Sequence, residues 1–196
     1  MPTAIAPTPG NRMKRLFDLT VSFLALVFLG WAILLLALWV RRDSPGPGIF
    51  AQPRVGRNKQ VFTCYKLRTM RLDTVSAASH DTPVSAVTPL GRNLRRFKLD
   101  ELPQLWNVLK GEMSFVGPRP CLPIQTVLVD AREKLGVYTL RPGITGLAQV
   151  QGIDMSDPVL LAGIDAEYLR RHSFLGDLRL ILRTVTGGGQ GDRVKL

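Results

Sequence analysis

An uncharged stretch of 22 residues near the N-terminus constrains this chain more than any other feature. Residues 19–40 read LTVSFLALVFLGWAILLLALWV. A helix of this length rises about 33 Å, which matches the hydrocarbon core of one bilayer. Arg41 and Arg42 follow it where a signal peptide would carry a cleavage site of small residues. We therefore predict a permanent membrane anchor; the alternative, a buried core helix, is disfavoured because such helices rarely lack charge on every face.

Basic residues flank this anchor on both sides. They are Arg12, Lys14 and Arg15 before it, and Arg41, Arg42, Arg54, Arg57 and Lys59 after it. Positive residues mark the cytoplasmic side of a membrane segment. The anchor therefore either enters one leaflet and returns, or spans the bilayer with its more basic C-terminal end inside. Both arrangements place the rest of the chain in the cytoplasm, where free cysteines stay reduced.

The charge balance limits the partners of the chain. Lys and Arg total 26 against 15 Asp and Glu, which gives a net charge of +11. This excess favours an anionic membrane surface, phosphorylated substrates or nucleic acid. A nucleic-acid-binding module is disfavoured, because no known motif of that class is present and aromatic residues make up only 7%. Two histidines without a Cys-x-x-Cys pair argue against a zinc site.

These patterns divide the chain into three regions. Residues 1–43 form the N-terminal segment and anchor, residues 44–186 a membrane-associated cytoplasmic domain, and residues 187–196 a flexible tail. The predicted fold class is α+β and mostly helical, with one short β-hairpin and interfacial amphipathic helices. The hairpin joins residues 49–55 to residues 61–67 through a turn at residues 56–59. Residues 72–87 have no clear period and are predicted to form a loop.

A helix is predicted to start at Thr88 and Pro89, a capping hydroxyl followed by proline at the first helical position. Its apolar face would carry Leu90, Leu94 and Phe97, and its basic residues are Arg92, Arg95 and Arg96. A second apolar stripe follows on Leu102, Leu105, Trp106 and Leu109, and Gly111 is the predicted stop.

An acidic pair, Asp100 and Glu101, precedes the second stripe. Carboxylates at this place usually cap the backbone N–H groups of a helix. Pro103 weakens that interpretation, because a cap at Asp100 would seek the N–H that proline lacks. At least one of the two carboxylates is therefore available for chemistry.

Two arginines lie in loops that contain proline and glycine, and the prolines restrict the backbone there. Arg119 stands between Pro118 and Pro120, and Arg141 precedes Pro142. A rigid loop that presents one guanidinium suits phosphate binding. Farther on, residues 168–185 are apolar on one face with flanking arginines, which predicts a helix that lies on the membrane surface or in the domain core.

Several segments together resemble the bacterial sugar transferases, the small monotopic phosphoglycosyl transferases. The main one is DELPQLWNVLKGEMSFVGPRP at residues 100–120. KLRTM at residues 66–70, RPGITGLAQVQG at residues 141–152 and YLRRHSFLGDLRLILRT at residues 168–184 continue the resemblance, and KRLFDLTVSFLALV resembles the opening membrane helix. The resemblance covers roughly residues 12–185.

The resemblance implies transfer of a sugar-1-phosphate from a UDP-sugar to a polyprenol phosphate, usually undecaprenyl phosphate, at the bacterial inner membrane. Asp100 would be the nucleophile, forming a covalent phospho-sugar intermediate with release of UMP, and Glu101 would act with Mg²⁺. Charge on the diphosphate must be neutralised. Arg119 and Arg141 are the main predicted phosphate ligands, and Lys66, Arg68 and Arg95 are predicted helpers.

One feature departs from the family pattern. Relatives typically break the membrane helix midway with Ser-Pro, whereas Gly30 and Trp31 stand at the corresponding place here. By analogy and by the basic flanks we predict the re-entrant form. A non-catalytic scaffold of polysaccharide assembly is the alternative function. The sugar, the glycan pathway and the oligomeric state, with a homodimer as one option, stay open.

Overall fold

A computed structural model describes residues 9–72 and 86–187 of the chain. The helices in this part are α1 (Pro9–Asp43), α2 (Pro89–Arg96), α3 (Gln104–Lys110), α4 (Thr126–Lys134), α5 (Leu147–Val150), α6 (Pro158–Arg171) and α7 (Phe174–Val185). The strands are β1 (Ile49–Val55), β2 (Val61–Leu67), β3 (Ser114–Val116) and β4 (Gly143–Thr145). The mostly helical α+β class is confirmed for these residues.

Helix α1 contains the uncharged stretch and continues through Gly30 and Trp31 without a change of secondary structure. Among the described residues it is the one helix long and apolar enough to cross a membrane. Its last carbonyls have no partner within the helix, as at every helix C-terminus. The guanidinium of Arg68 satisfies the carbonyls at this end, since it donates to Ser44, Pro45 and Pro47 at 2.7–2.8 Å and to Val40 at 3.5 Å.

Both ends of α1 pack on the same domain. At the N-terminal end, Lys14 Nζ donates to the carbonyl of Val116 at 2.8 Å and to the carboxylate of Asp177. At the C-terminal end, Val40 is buried with Leu67 and Leu94. Large apolar side chains between the two ends are exposed, among them Phe23, Val27, Phe28, Trp31, Leu34 and Leu35. An exposed apolar band of this size marks a surface that contacts lipid or another protein.

The predicted hairpin is confirmed. Strands β1 and β2 pair antiparallel, from Ile49 opposite Leu67 to Val55 opposite Val61. A short 3₁₀ turn, Arg57–Lys59, joins them, and Asn58 and Lys59 adopt positive φ angles of 53° and 59°. The hairpin places Cys64 against Val108 and Met113 in a small buried cluster.

Helix α2 begins as predicted, with Thr88 Oγ1 accepting from the N–H of Gly91 at 2.9 Å. The prediction for Phe97 was wrong: Leu94 is buried, but Phe97 lies beyond the helix and its side chain is 65% exposed. The helix ends at Arg96, one residue before Phe97, so the i+7 position is not part of the helix. Most of the predicted loop at residues 72–87 lies outside the described residues.

Helix α3 is confirmed and ends at Gly111, whose φ of 87° favours glycine. Of the predicted stripe, Leu105 is buried and Leu102 and Leu109 are half-buried, whereas Trp106 is 50% exposed and Asn107 is fully buried instead. The Asn107 side chain accepts from the N–H of Tyr65 at 3.1 Å and donates to the carbonyl of Thr63 at 2.7 Å. This amide fastens α3 to strand β2, so the helix turns a polar side inward.

The C-terminal segment is two helices rather than one continuous helix. Helix α6 ends at Arg171, and α7 starts after Ser173, whose Oγ accepts from the N–H of Gly176 at 3.1 Å. The serine cap interrupts the apolar pattern, which the periodicity alone could not reveal. Leu180 of α7 is buried, whereas Leu175 and Leu182 are exposed.

Candidate active site

The acidic pair lies in a short 3₁₀ turn, Leu99–Glu101, directly before α3. Asp100 and Glu101 are 5% and 9% exposed. Pro103 stands at the N-cap of α3, where no side chain makes a capping hydrogen bond. Neither carboxylate therefore occupies the N-cap position of α3, which Pro103 takes. Burying two adjacent carboxylates is costly unless cations or donors compensate.

Two cations meet one oxygen of Glu101. Lys66 lies near the end of strand β2, and Arg119 lies in the loop after β3. Lys66 Nζ and Arg119 Nη2 are each 3.1 Å from Glu101 Oε1. All three side chains are largely buried, which strengthens charge-assisted hydrogen bonds relative to those at a surface. Two of the predicted phosphate ligands thus converge on the predicted dyad, although 35 and 18 residues separate them from Glu101.

The loop that carries Arg119 is fixed by strand pairing. Strands β3 and β4 pair in parallel, and the loop continues the ladder with Gly117 N donating to the carbonyl of Thr145 at 2.9 Å. A Cβ at Gly117 would lie 2.3 Å from the carbonyl oxygen of Arg141, so only glycine permits this approach. The two proline-bearing arginine loops seen in the sequence are therefore neighbours.

A buried ion pair supports the same loop from behind. Arg132 of α4 donates to the carbonyl of Arg119 at 2.8 Å and binds Asp165 of α6 at 2.7 Å. Arg132 and Asp165 are 1% and 3% exposed. Burial raises the pKa of Asp165, and the Arg132 guanidinium opposes that rise. Sequence reasoning missed this pair, because no local pattern links two helices 33 residues apart.

Arg54 also supports the loop that carries Arg119, a role that the sequence did not indicate. It was counted only as a basic flank of the anchor, yet its Nη1 donates to the carbonyl of Pro120 at 3.0 Å. Alternation along β1 and the register with β2 place Arg54 on the same face of the hairpin as Lys66. This alternation of side chains along the strand was the signal in the sequence that could have identified Arg54.

The remaining predicted phosphate ligands are placed differently. Arg68 is 5% exposed and uses all three guanidinium nitrogens on carbonyls at the end of α1, so the prediction that it binds phosphate is not supported by its position. Arg95 donates from Nε to Thr69 Oγ1 at 2.8 Å. Arg141 donates from Nε to the carbonyl of Gly111 at 2.8 Å and does not contact Glu101. Burial, with Arg15 and Arg57 nearby, lowers the pKa of Arg141.

A cavity of about 490 Å³ opens onto Glu101 and Arg119. Its apolar walls include Phe97, Leu102, Phe115 and Val185, and Lys98 adds a further cation. The end of α7 closes one side through Thr184, whose Oγ1 lies 2.6 Å from Thr145 Oγ1. The cavity therefore combines the charged side chains of Glu101, Arg119 and Lys98 with apolar walls, an arrangement suited to an amphipathic phosphate ester.

Metal binding at this site would depend on the acidic pair. Among the described residues no group of three or more His, Cys, Asp and Glu side chains could hold a metal ion. Mg²⁺ in phosphoryl-transfer sites, however, is commonly bound by one or two carboxylates together with substrate phosphates and water. The chemistry of two adjacent carboxylates fits that mode and not an all-protein cage.

Comparison with known proteins agrees with the resemblance seen in the motifs. The family described as bacterial sugar transferase matches residues 10–189. The chain is 42% identical to an undecaprenyl-phosphate glucose phosphotransferase of Komagataeibacter xylinus, over 88% of this chain and 35% of that protein. It is 40% identical to a UDP-glucose:undecaprenyl-phosphate glucose-1-phosphate transferase of Caulobacter vibrioides, over 88% of this chain and 68% of the relative.

A third relative is closer to this chain in length. The exopolysaccharide production protein PSS of Rhizobium leguminosarum bv. phaseoli is 37% identical over 88% of this chain and 93% of its own length. The chain thus spans about a third of the Komagataeibacter protein and nearly all of the Rhizobium protein.

Proposed function

The chain belongs to the bacterial sugar transferase family, and from this membership we propose that it transfers a sugar-1-phosphate from a UDP-sugar to a polyprenol phosphate. The names of the relatives support undecaprenyl phosphate as acceptor and exopolysaccharide synthesis as the pathway. The observation that carries the proposal is the buried Asp100–Glu101 pair, with Lys66 and Arg119 on one oxygen of Glu101.

The proposed reaction has two steps. In the first, a carboxylate oxygen of Asp100 attacks the phosphorus that carries the sugar; the bond from this phosphorus to the bridging oxygen breaks, and UMP leaves with the electron pair. In the second, an oxygen of the polyprenol phosphate attacks the same phosphorus, and the electrons of the Asp100–phosphorus bond return to the carboxylate. The product is a polyprenyl-diphosphate sugar, and the kinetics are ping-pong.

The cations of the site make the first step feasible. A diphosphate repels a carboxylate nucleophile, and preorganised cations offset this repulsion in a site with little water. In this proposal Arg119 and Lys66 contact the phosphates, and their ion pairs with Glu101 hold them in place. Arg141 and Arg95 stay proposed ligands, because the guanidinium Nη atoms of Arg141 make no hydrogen bond with the described residues and Nη1 of Arg95 is buried without one.

Mg²⁺ is proposed as the cofactor, held by Glu101 with Asp100 and by the substrate phosphates. When bound, Mg²⁺ supplies charge neutralisation on the diphosphate. Glu101 Oε1 is oriented by Lys66 and Arg119, so the carboxylate has a fixed direction before any ligand arrives.

The proposed location is the cytoplasmic face of the bacterial inner membrane, with α1 as a re-entrant anchor. The contact of both ends of α1 with one domain supports this topology, because a domain on one side of the membrane then requires both ends there. The basic surface would add about 1 kcal/mol for each Lys or Arg near anionic lipid.

Release of UMP tests the proposed function. The protein in nanodiscs is given Mg²⁺ and a panel of UDP-sugars, beginning with UDP-glucose and UDP-galactose, with and without undecaprenyl phosphate. We expect sustained release from one UDP-sugar that requires the lipid. Asp100→Asn should abolish release while the protein still folds, and Asp130→Asn, at an exposed carboxylate of α4, should behave like wild type.

The outcome separates the enzyme from the scaffold alternative. Wild-type release by Asp100→Asn would refute the nucleophile. If no sugar is turned over and the Asp100→Asn chain still supports polysaccharide synthesis in cells, the chain serves as a non-catalytic scaffold.

A further inference from the structure

Lys98 adopts a backbone conformation that L residues rarely occupy. It lies between α2 and the 3₁₀ turn of the dyad, with φ 56° and ψ 21°. Two other non-glycine residues in the described part have positive φ, Asn58 and Lys59, and both belong to the hairpin turn. Strain of this kind collects at functional sites, where the surrounding structure holds it in place. Lys98 is two residues before Asp100, the proposed nucleophile, so the strained residue adjoins the site.

The Lys98 side chain enters the same cavity as Glu101 and Arg119. Its Nζ lies 3.5 Å from the carbonyl oxygen of Thr184 at the C-terminal end of α7. Carbonyls at a helix C-terminus attract cations, and this contact places the ammonium group beside the end of α7. Lys66, in contrast, reaches Glu101 from the hairpin and does not line the cavity.

Apolar side chains form much of the wall of the cavity that Lys98 shares with Glu101 and Arg119. Phe97 and Val185 at the cavity wall are 65% and 79% exposed. Phe115, another wall residue, packs edge-on against Phe17 of α1 with ring centroids 5.9 Å apart. The apolar side of the cavity is therefore continuous with the base of the anchor. A UDP-sugar is polar along its whole length, whereas a polyprenol phosphate carries one phosphate on a hydrocarbon chain.

We propose that Lys98 binds the phosphate of the polyprenol phosphate acceptor in this cavity, with the first part of its hydrocarbon chain against Phe97 and Val185. The inference rests on the proposed function and assigns a residue to its second step. The bound phosphate presents one oxygen to the phosphorus held by Asp100, and the bond changes are those already given for that step. Lys66 and Arg119 then serve the donor.

The test compares two substitutions of Lys98 with one control substitution at Lys59, a lysine of similar backbone conformation. Lys98→Asn removes the cation and suits the left-handed backbone, since asparagine tolerates positive φ better than most residues. Lys98→Arg keeps a cation. Lys59→Asn is the matched control, because Lys59 has nearly the same φ of 59° and lies on the hairpin turn in an exposed ion pair with Glu133.

Two readouts separate the steps of the reaction. The burst of UMP from UDP-sugar without lipid reports the first step, and steady-state release at varied undecaprenyl phosphate reports the second. We expect Lys98→Asn to leave the burst unchanged and to raise the KM for undecaprenyl phosphate at least about tenfold, the effect of losing one charge-assisted hydrogen bond to phosphate. Lys98→Arg should recover most of the affinity, and Lys59→Asn should match wild type.

Other outcomes overturn the inference. An unchanged KM for the lipid in a folded Lys98→Asn protein removes Lys98 from the acceptor site. A slower burst with an unchanged lipid KM assigns Lys98 to the donor diphosphate instead. If wild-type protein shows neither burst nor turnover, the proposed function itself fails, and thermal unfolding curves of each variant distinguish these results from loss of the fold.

Discussion

At the scale of single residues, the site depends on where charges are paired. Glu101 Oε1 takes Lys66 and Arg119 together, and the backbone of Arg119 is in turn held by Arg132. Each of these residues is largely buried, so each charge depends on its neighbour for solvation. The Arg132–Asp165 pair has no contact with Glu101, yet it fixes the loop from which Arg119 reaches the dyad.

Asp165→Asn should destabilise the protein strongly. It leaves the buried Arg132 guanidinium without a counter-charge, which costs about 3–5 kcal/mol of unfolding free energy. Glu167→Gln on the same helix is the control, because its ion pair with Arg171 is exposed and worth about 0–1 kcal/mol. Urea unfolding of both variants in detergent measures the difference, and equal stabilities would contradict the role assigned to the buried pair.

Lys66→Met should lower kcat/KM for the UDP-sugar while the protein stays folded. Loss of one charge-assisted hydrogen bond in the site corresponds to about 1.5–3 kcal/mol, or roughly a 10- to 150-fold decrease. Lys110→Met removes an equally long cation from an exposed pair with Glu112 and should keep the wild-type value. A decrease of the same size in both variants would mean that overall charge, rather than position, matters.

At the scale of elements, close backbone approach decides how the helices lie. Helix α2 crosses the end of β2 so closely that a Cβ at Gly91 would lie 2.2 Å from the carbonyl oxygen of Thr69. The same approach lets Arg95 bond Thr69 Oγ1. One glycine therefore sets the distance between the strand of Lys66 and the helix that leads into the dyad.

Gly91→Ala should separate these two elements. The contact is with backbone and cannot be relieved by a side-chain rotation, so we expect a loss of about 1–3 kcal/mol in stability. Gly163→Ala within α6 is the matched helical control, since no atom lies within 4 Å of its added Cβ and alanine favours helix by up to about 1 kcal/mol. Thermal unfolding ranks the two, and a Gly91→Ala protein as stable as wild type would show that α2 can shift freely.

At the scale of the whole molecule, α1 is long and apolar enough to cross a membrane, and it is also a structural support of the domain. Its first turns are bonded to β3, α3 and α7, and its last turn packs against β2 and α2. Such a helix cannot move independently of the domain that holds the site. The apolar surface of α1 and the site around Glu101 are therefore held in a constant relation, which the proposed lipid substrate requires.

The topology of α1 can be tested by cysteine labelling. Arg12→Cys before the uncharged stretch and Arg171→Cys in the domain are both exposed positions, whereas the native Cys64 and Cys121 are buried and give little background. For a re-entrant anchor, an impermeant maleimide should label both in inverted vesicles and neither in spheroplasts. Labelling of Arg12→Cys from the outside alone would establish a spanning helix.

Features that depend on a few neighbouring residues were predictable from the sequence. The hairpin, the Thr88 cap, the Gly111 stop and the placement of Asp100 and Glu101 before α3 each follow from φ preferences or local hydrogen bonds. The long apolar helix follows from length and apolarity alone. Pro103 and the proline-flanked loop singled out the acidic pair and Arg119, and Lys66 was a predicted helper.

The tertiary structure, in contrast, decided which distant groups the buried polar and charged side chains bind. No local pattern shows that Arg68 closes the end of α1 whereas Arg119 meets Glu101, because the partners lie 23 and 18 residues away in the sequence. Trp106, predicted on the apolar stripe, is exposed, and Asn107 is buried because strand β2 offers its amide a partner. Sequence patterns report energies over one or two turns, whereas a buried charge or amide is satisfied by whichever distant group the fold brings within 3 Å.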